Sequence, residues 1–393
     1  MDLNSVTFSF FLIFSGAALF ASIALYTRQP LIIAYIALGA CIGPYGLSLV
    51  TDLNLLSDIG HVGIIFLLFL LGLDMQPQAL WATLRKSTVV AVSSSILFIT
   101  VGFAVPFAFG FSLIDSLVVG AAMMFSSTII GIKLLPTTVL HHRHTGELMI
   151  GLLLLQDLLA IVVLMVLLSA TGGPENGVGM GMDLALSFLS LPLLVGGALL
   201  LVRYVLLPLI ARFDRFHEYI FLLAIGWCLG IAETAAALGL SAEIGAFIAG
   251  ITIATSPISQ YIAVNLKPLR DFFLILFFFA VGARFNLAVL GDVLWPALVL
   301  SILVLALKPV VYRFLLGGLS EKRSLAWDLG FRLGQASEFS LLIAYVAIGG
   351  ALISEQASLL IQATTIITLL VSSYIVVLNY PTPIAISDEL RRD

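Results

Sequence analysis

Charged side chains are scarce in this chain. Eighteen Lys and Arg and 22 Asp and Glu make up 10% of its 393 residues, against about a quarter in soluble globular domains. That shortage excludes a soluble fold. Cysteine is almost missing. Cys41 and Cys228 each lie inside an apolar segment and read as small core residues, which excludes a disulfide framework. There is no P-loop, no GxGxxG after a strand and no His/Cys cluster of zinc spacing. No cofactor and no nucleic-acid partner is expected, and no nucleophile–base pair stands at membrane depth to suggest an enzyme. The first thirty residues lack a basic leader, and their apolar run is too long for a signal-peptide core, so they read as a retained first span.

What fills the chain is apolar: 61% of residues are hydrophobic. About thirteen apolar segments follow one another, at roughly 6–27, 30–45, 57–74, 87–110, 113–133, 145–170, 183–210, 217–238, 242–255, 269–287, 291–315, 325–349 and 355–379. The expected class is an all-α polytopic membrane protein. With the N-terminus outside, the inward loops collect Arg28, Arg85, Lys86, Arg143, Arg212, Arg215, Lys267, Arg270, Lys322 and Arg323, followed by the tail residues Arg391 and Arg392. The outward loops hold Asp52, Glu175, Asp183, Asp292 and Glu355, with Arg284 as the main exception. This bias places the C-terminus inside.

Segments one to six and eight to thirteen form two halves of six, joined by the segment at 183–210. An odd joining span inserts the second half upside down, and such inverted repeats place a transport site between broken helices at the midplane. The symmetry pairs segment five with segment twelve. Each has a small, polar centre: Ser126-Ser127-Thr128 in the first, Gly334-Gln335-Ala336-Ser337-Glu338 in the second. Two crossing, discontinuous helices are therefore expected. Ordinary helix, with hydroxyls bonded back to the i−4 carbonyl, is the bland alternative.

The chemistry centres on ELMIGLLLLQDLLAIVVLMVLLSA, residues 147–170, where Asp157 sits near the middle of a spanning helix. A charge there is costly and marks an ion or proton path by default, the alternative being an acid neutralised by a structural partner. Lys308 lies well inside segment eleven, ahead of Pro309. It either snorkels toward the boundary at Arg313 or faces the crossing, where it would offset helix-dipole ends and compete with a bound cation. Asp328 and Arg332 have the spacing of an intrahelical pair. Glu338 sits at the second interruption and is a candidate for lining the ion path or tying down unwound backbone. Glu233 suits the outer interface, and Glu243 is left without an assigned role. The run His141-His142-Arg143-His144 is a candidate pH sensor in an inward loop, or a solvated polar turn.

LLLLQDLLAIVVL resembles the Gln-Asp helix of the Kef-type branch (CPA2) of monovalent cation:proton antiporters, which includes glutathione-gated potassium efflux proteins. LLFLLGLDMQPQALW, GLSAEIGAFIAGI at 239–251, LFFFAVGARFNL at 276–287 and GQASEFSLL at 334–342 are similar to the same family, in the same order. The resemblance implies a homodimer in a bacterial inner membrane. Within an antiporter domain spanning 1–380, residues 1–82 and 183–287 would be mainly dimerisation scaffold, and 87–170 and 291–379 mainly ion-binding core. It implies that Asp157 binds the ion and the proton, with Gln156, Ser127 and Thr128 around it. Ser126, Lys308, Gln335, Ser337 and Glu338 would line the path or stabilise the core. Gln156 stands where electrogenic relatives carry a second acid, which implies one cation exchanged for one proton. Glu243 departs from the family pattern. Residues 381–393 read as a cytoplasmic tail without the nucleotide-binding regulatory domain common in the family, so such a domain, or a separate regulatory subunit, would have to lie outside this chain.

The expected activity is exchange of K+, favoured over Na+, for a proton by alternating access around Asp157. A ligand-gated cation channel, a sodium/proton antiporter and an organic-anion symporter are the rivals. A one-for-one exchanger passes no net current, whereas a channel does.

Overall fold

Helices form wherever the apolar runs leave backbone groups no partner but their own chain, and they stop at small capping residues and short polar turns. The computed structural model describes residues 6–27, 29–50, 53–74, 77–128, 131, 144–171, 180–213, 215–238, 240, 242–254, 256, 258–286, 290–319 and 321–381. No strand occurs among them.

The helices are α1 (Val6–Tyr26), α2 (Leu31–Ile42), α3 (Leu53–Asp74), α4 (Pro77–Ala108), α5 (Leu113–Met123), α6 (His144–Thr171), α7 (Met180–Leu201), α8 (Leu207–Arg212), α9 (His217–Ala237), α10 (Ala242–Ala254), α11 (Ile258–Ala283), α12 (Leu290–Gly318), α13 (Arg323–Arg332), α14 (Glu338–Gly349) and α15 (Glu355–Asn379). A π-helical turn, Val202–Leu206, joins α7 to α8. It lies just before Pro208, whose missing N–H disturbs the i→i−4 ladder. Among the described residues six helices are long and apolar enough to cross a membrane, Val6–Tyr26, Thr88–Ala108, Ser190–Arg212, Glu218–Ala237, Leu290–Gly318 and Glu355–Asn379. Shorter apolar helices accompany them. The chain is a multi-pass membrane protein.

Both expected interruptions are present. The first follows α5: Phe125–Ser127 have left the helix and Thr128 is helical again. The second spans 333–337, between the end of α13 at Arg332 and the start of α14 at Glu338. The i−4 back-bonding alternative fails at Ser126, whose hydroxyl bonds instead to a carbonyl on another segment.

The chain divides into two compact units. Unit 1 takes Met1–Thr51, Trp81–Leu167 and Val281–Asp393; unit 2 takes Asp52–Leu80 and Leu168–Ala280. Residues 1–51 thus cluster with the segments expected to bind the ion, whereas residues 52–80 cluster with 168–280.

In unit 1, caps fix where two helices begin. The Ser112 hydroxyl accepts from the Asp115 amide at 3.1 Å at the start of α5, and the Ser354 hydroxyl accepts from the Ala357 amide at 3.1 Å at the start of α15. Asp115 then accepts from the Ser354 amide at 2.8 Å and from its hydroxyl at 3.1 Å, tying the two helix starts together. Gly330 of α13 lies so close to Pro309 of α12 that a Cβ would meet the proline backbone at 2.8 Å. That approach brings the second interruption up to Lys308.

In unit 2, α3 and α10 pack backbone to backbone at Gly72 and Gly250. A Cβ on Gly250 would overlap the Phe69 carbonyl and meet the Gly72 Cα and the Leu73 amide at 2.9 Å. Backbone cannot yield as a flexible side chain can. Gly250→Ala is therefore expected to destabilise the protein by about 1–3 kcal/mol, the usual cost of overpacking. Gly226→Ala, with open space around the new methyl, should be neutral or stabilising by up to about 1 kcal/mol through helix propensity. Thermal melting of the two purified variants in detergent checks both.

Candidate functional site

Asp157 lies on α6, 2% exposed, so its carboxylate is enclosed by protein. It is hydrogen-bonded by Thr128, the first helical residue after the break in the α5 segment. The Thr128 hydroxyl lies 3.2 Å from each carboxylate oxygen and shares its proton between them. Glu338, the first residue of α14, is buried and close enough to Asp157 to interact with it electrostatically. Two acids and a threonine hydroxyl thus gather beside the interruptions, and their donors are all oxygen, as a hard cation requires.

Gln156 was expected among the ion-binding side chains, but its amide is occupied at both ends by protein. Its Oε1 accepts from the Ser126 amide at 3.0 Å, and its Nε2 donates to the Tyr312 hydroxyl at 2.6 Å. It satisfies an N–H that the broken helix leaves without an intrahelical acceptor. Adjacent residues on α6 therefore divide the work. Gln156 braces the interruption, and Asp157 meets Thr128.

Lys308 is fully buried and does not snorkel. Its Nζ donates to the carbonyls of Phe125 at 2.5 Å and Gln335 at 2.9 Å, and lies 3.3 Å from the Ser126 hydroxyl. One ammonium thus joins the two interruptions. Unwound carbonyls carry the negative ends of peptide dipoles, and a cation there offsets them. These two carbonyls and one hydroxyl lie at the two interruptions, so its place is the crossing, one of the two positions expected. The ring of Phe98 faces the ammonium at 5.2 Å and packs edge-on against Tyr312.

Other bonds close the crossing. The Ser126 hydroxyl donates to the Leu333 carbonyl at 2.8 Å, and the Ser340 hydroxyl donates to the Ala122 carbonyl at 2.6 Å. Ser337 is the N-cap of α14. Its hydroxyl accepts from the Phe339 amide at 3.2 Å, while its own amide donates to Ser340 at 3.3 Å. From α15, Thr368 accepts from the Ala336 amide at 3.1 Å and Ser372 donates to the Gln335 side chain at 2.8 Å. Ser127 is buried beside these groups.

Sequence reasoning missed Tyr312, Ser340, Thr368 and Ser372. Two signals were present. Tyr312 stands four residues after Lys308 and so shares its face. Ser358, Gln362, Thr365, Thr368 and Ser372 form a polar stripe at helical spacing in an otherwise apolar helix, and all five are buried.

The remaining candidates disperse. Asp328 and Arg332 pair as their spacing suggested, Nε to Oδ1 at 2.8 Å. Glu233 is exposed, in keeping with the interface reading. Glu243 is buried in unit 2, 3.0 Å from the half-exposed His61. It joins α10 to α3, and no sequence motif linked the two residues. His141, His142, Arg143 and the side chain of His144 lie outside the described residues.

Comparison with known proteins adds an independent line. A family model described as "Sodium/hydrogen exchanger, transmembrane" matches residues 11–378. K(+) efflux antiporter 4 of Arabidopsis thaliana is 30% identical over 350 residues, covering 87% of this chain and 58% of that protein. K(+) efflux antiporter 6 of the same plant is 27% identical over 347 residues, with shares of 87% and 58%. Iron transporter MagA of Paramagnetospirillum magneticum is 28% identical over 353 residues, covering 88% and 79%. This chain therefore spans little more than half the length of the two plant antiporters. Among solved structures, the sodium proton antiporter MjNhaP1 from Methanocaldococcus jannaschii at pH 8 superimposes with a TM-score of 0.69. It covers 92% of this chain and 94% of its own at 18% identity, a likeness of fold.

Proposed function

The chain belongs to the sodium/hydrogen exchanger transmembrane family, and from that premise we propose that it exchanges a monovalent cation, K+ in preference to Na+, for a proton at Asp157, one for one. The observation that carries this reading is the buried Asp157 carboxylate, bonded by Thr128 beside two interrupted helices that Lys308 joins. Ionised, Asp157 and neighbouring oxygens replace the hydration shell of a cation. Protonated, it lets the cation go. One carboxylate cannot hold both, and this mutual exclusion is what couples the two fluxes. An ionised Asp157 with neither ligand would carry an uncompensated charge through low dielectric, which opposes empty transfer and leak.

Thr128 sets the carboxylate's direction and offers its own lone pairs to the cation. Thr128→Ala is expected to raise the cation KM several-fold, the loss of one hydrogen bond to a charged group, with maximal rate less affected. Initial rates across a cation series in proteoliposomes measure this.

The wider reading follows the same premise. The protein acts as a homodimer. Its N-terminus lies outside, as the Lys and Arg distribution supports. It performs no covalent chemistry, in keeping with the names of these relatives, which are two antiporters and a transporter. K+ is preferred over Na+ here because two of those relatives are named for K+ efflux. The test is proton flux in proteoliposomes driven in turn by K+, Na+ and Rb+, with membrane current recorded in parallel. Cation-driven acidification without net current is expected. A large cation current would replace the exchanger by a channel.

A further inference from the structure

The largest fully buried side chain among the described residues is one that the exchange chemistry leaves unused. Arg332, the last residue of α13, is 1% exposed. An Asp–Arg pair at i, i+4 belongs ordinarily to a solvated helix face and contributes little there. Here the acid keeps that face, with the Asp328 side chain 25% exposed, while the guanidinium turns inward. Burying it is costly unless its donors find acceptors. One acceptor is Asp328 at 2.8 Å. Another is the backbone carbonyl of Pro381, two residues beyond the end of α15, at 2.9 Å from Nη2. The Tyr380 ring lies 5.8 Å from the guanidinium and 5.7 Å from Phe331, which in turn stacks on Trp327. Burial pushes the Tyr380 phenol above its ordinary value, with Asp328 adding to the rise and Arg332 opposing it, so the three groups share one electrostatic neighbourhood.

The backbone of Arg332 faces the other way. Its carbonyl accepts from the Gln335 side chain at 2.9 Å, and the Gln335 carbonyl accepts from Lys308. We propose that Arg332 is a positioning residue for the exchange site: it fastens the end of α13 to the chain at Pro381 and, through Gln335, holds the second interruption against Lys308. The proposal rests on the exchange reading for its transport consequences. Its geometry needs a planar fork that reaches a carboxylate and a carbonyl at once, which a lysine cannot supply. What happens to the backbone at Pro381 is then felt at the ion site.

The experiment uses the full chain in proteoliposomes, with three variants. Arg332→Gln removes the charge. Arg332→Lys keeps charge and stem and loses the fork. Pro381→Gly loosens the far anchor without touching any residue near the ion. For Arg332→Lys, a roughly tenfold rise in cation KM is expected, the order set by one lost charge-assisted hydrogen bond. A displaced pH profile should accompany it, with the maximal rate within a few-fold of the unaltered protein. Pro381→Gly should move both in the same direction by less. Amide hydrogen exchange across residues 333–340 should quicken in all three. Unchanged KM, pH profile and exchange in Arg332→Lys and Pro381→Gly, with only a lower melting temperature, overturn the proposal and leave Arg332 a structural clamp. Should the unaltered protein move no proton with any cation, the exchange reading falls. The hydrogen exchange then decides by itself: lost protection at 333–340 upholds the positioning role and retained protection refutes it. If Arg332→Gln does not fold, the other two variants carry the decision.

Discussion

Asp157→Asn is expected to reduce cation-driven proton flux to the level of protein-free liposomes while the protein still folds. Asn has nearly the shape of Asp, and its amide oxygen can accept the Thr128 hydroxyl as the carboxylate does. What it lacks is the negative charge that neutralises a cation and the basicity that takes a proton. Removing a buried charge also removes its desolvation penalty, so the variant's melting temperature should be no lower than that of the unaltered protein. Flux assays with a pH-sensitive dye, beside melting in detergent, read the two quantities separately. Full cation-driven flux in this variant would end the mechanism. Loss of flux together with loss of folded protein would make Asp157 a structural group.

The second large effect belongs to Lys308→Ala. It leaves the carbonyls of Phe125 and Gln335, both on buried residues, without the donor they share. Each deserted buried acceptor costs roughly 1–3 kcal/mol, so a loss of about 2–6 kcal/mol is expected, read as a markedly lower melting temperature. Transport in the surviving folded fraction should persist with an altered pH dependence, because the Asp157 carboxylate proposed to take the cation and the proton remains. A channel-like cation current in this variant would instead make Lys308 a gate.

Much of this arrangement was legible in the sequence, for local reasons. Hydrophobic runs separated by polar turns gave the helices, because each run meets its own backbone hydrogen bonds and needs no distant partner. The two interruptions were visible because small and polar residues cluster in the middle of apolar runs at matching places in the two halves. The Asp328–Arg332 pair was legible because four residues is one helical turn. Gln156 was harder. Its neighbour drew it into the ion site, yet its side chain points 100° further around α6 and there meets Ser126 and Tyr312. The His61–Glu243 contact had no signal at all, because it depends on how α3 and α10 pack.

By itself the sequence determined a chain of membrane helices with two gaps and one acid at mid-depth, because the cost of a polar group in hydrocarbon is read residue by residue along the chain. Only the tertiary structure decided what fills those gaps. Ser126 and Leu333 are 207 residues apart, and Lys308 and Phe125 are 183 apart. Every unwound carbonyl needs a donor, but the chain order does not say which of several buried hydroxyls and amines will reach it. Packing selects them, through close approaches such as Gly330 on Pro309.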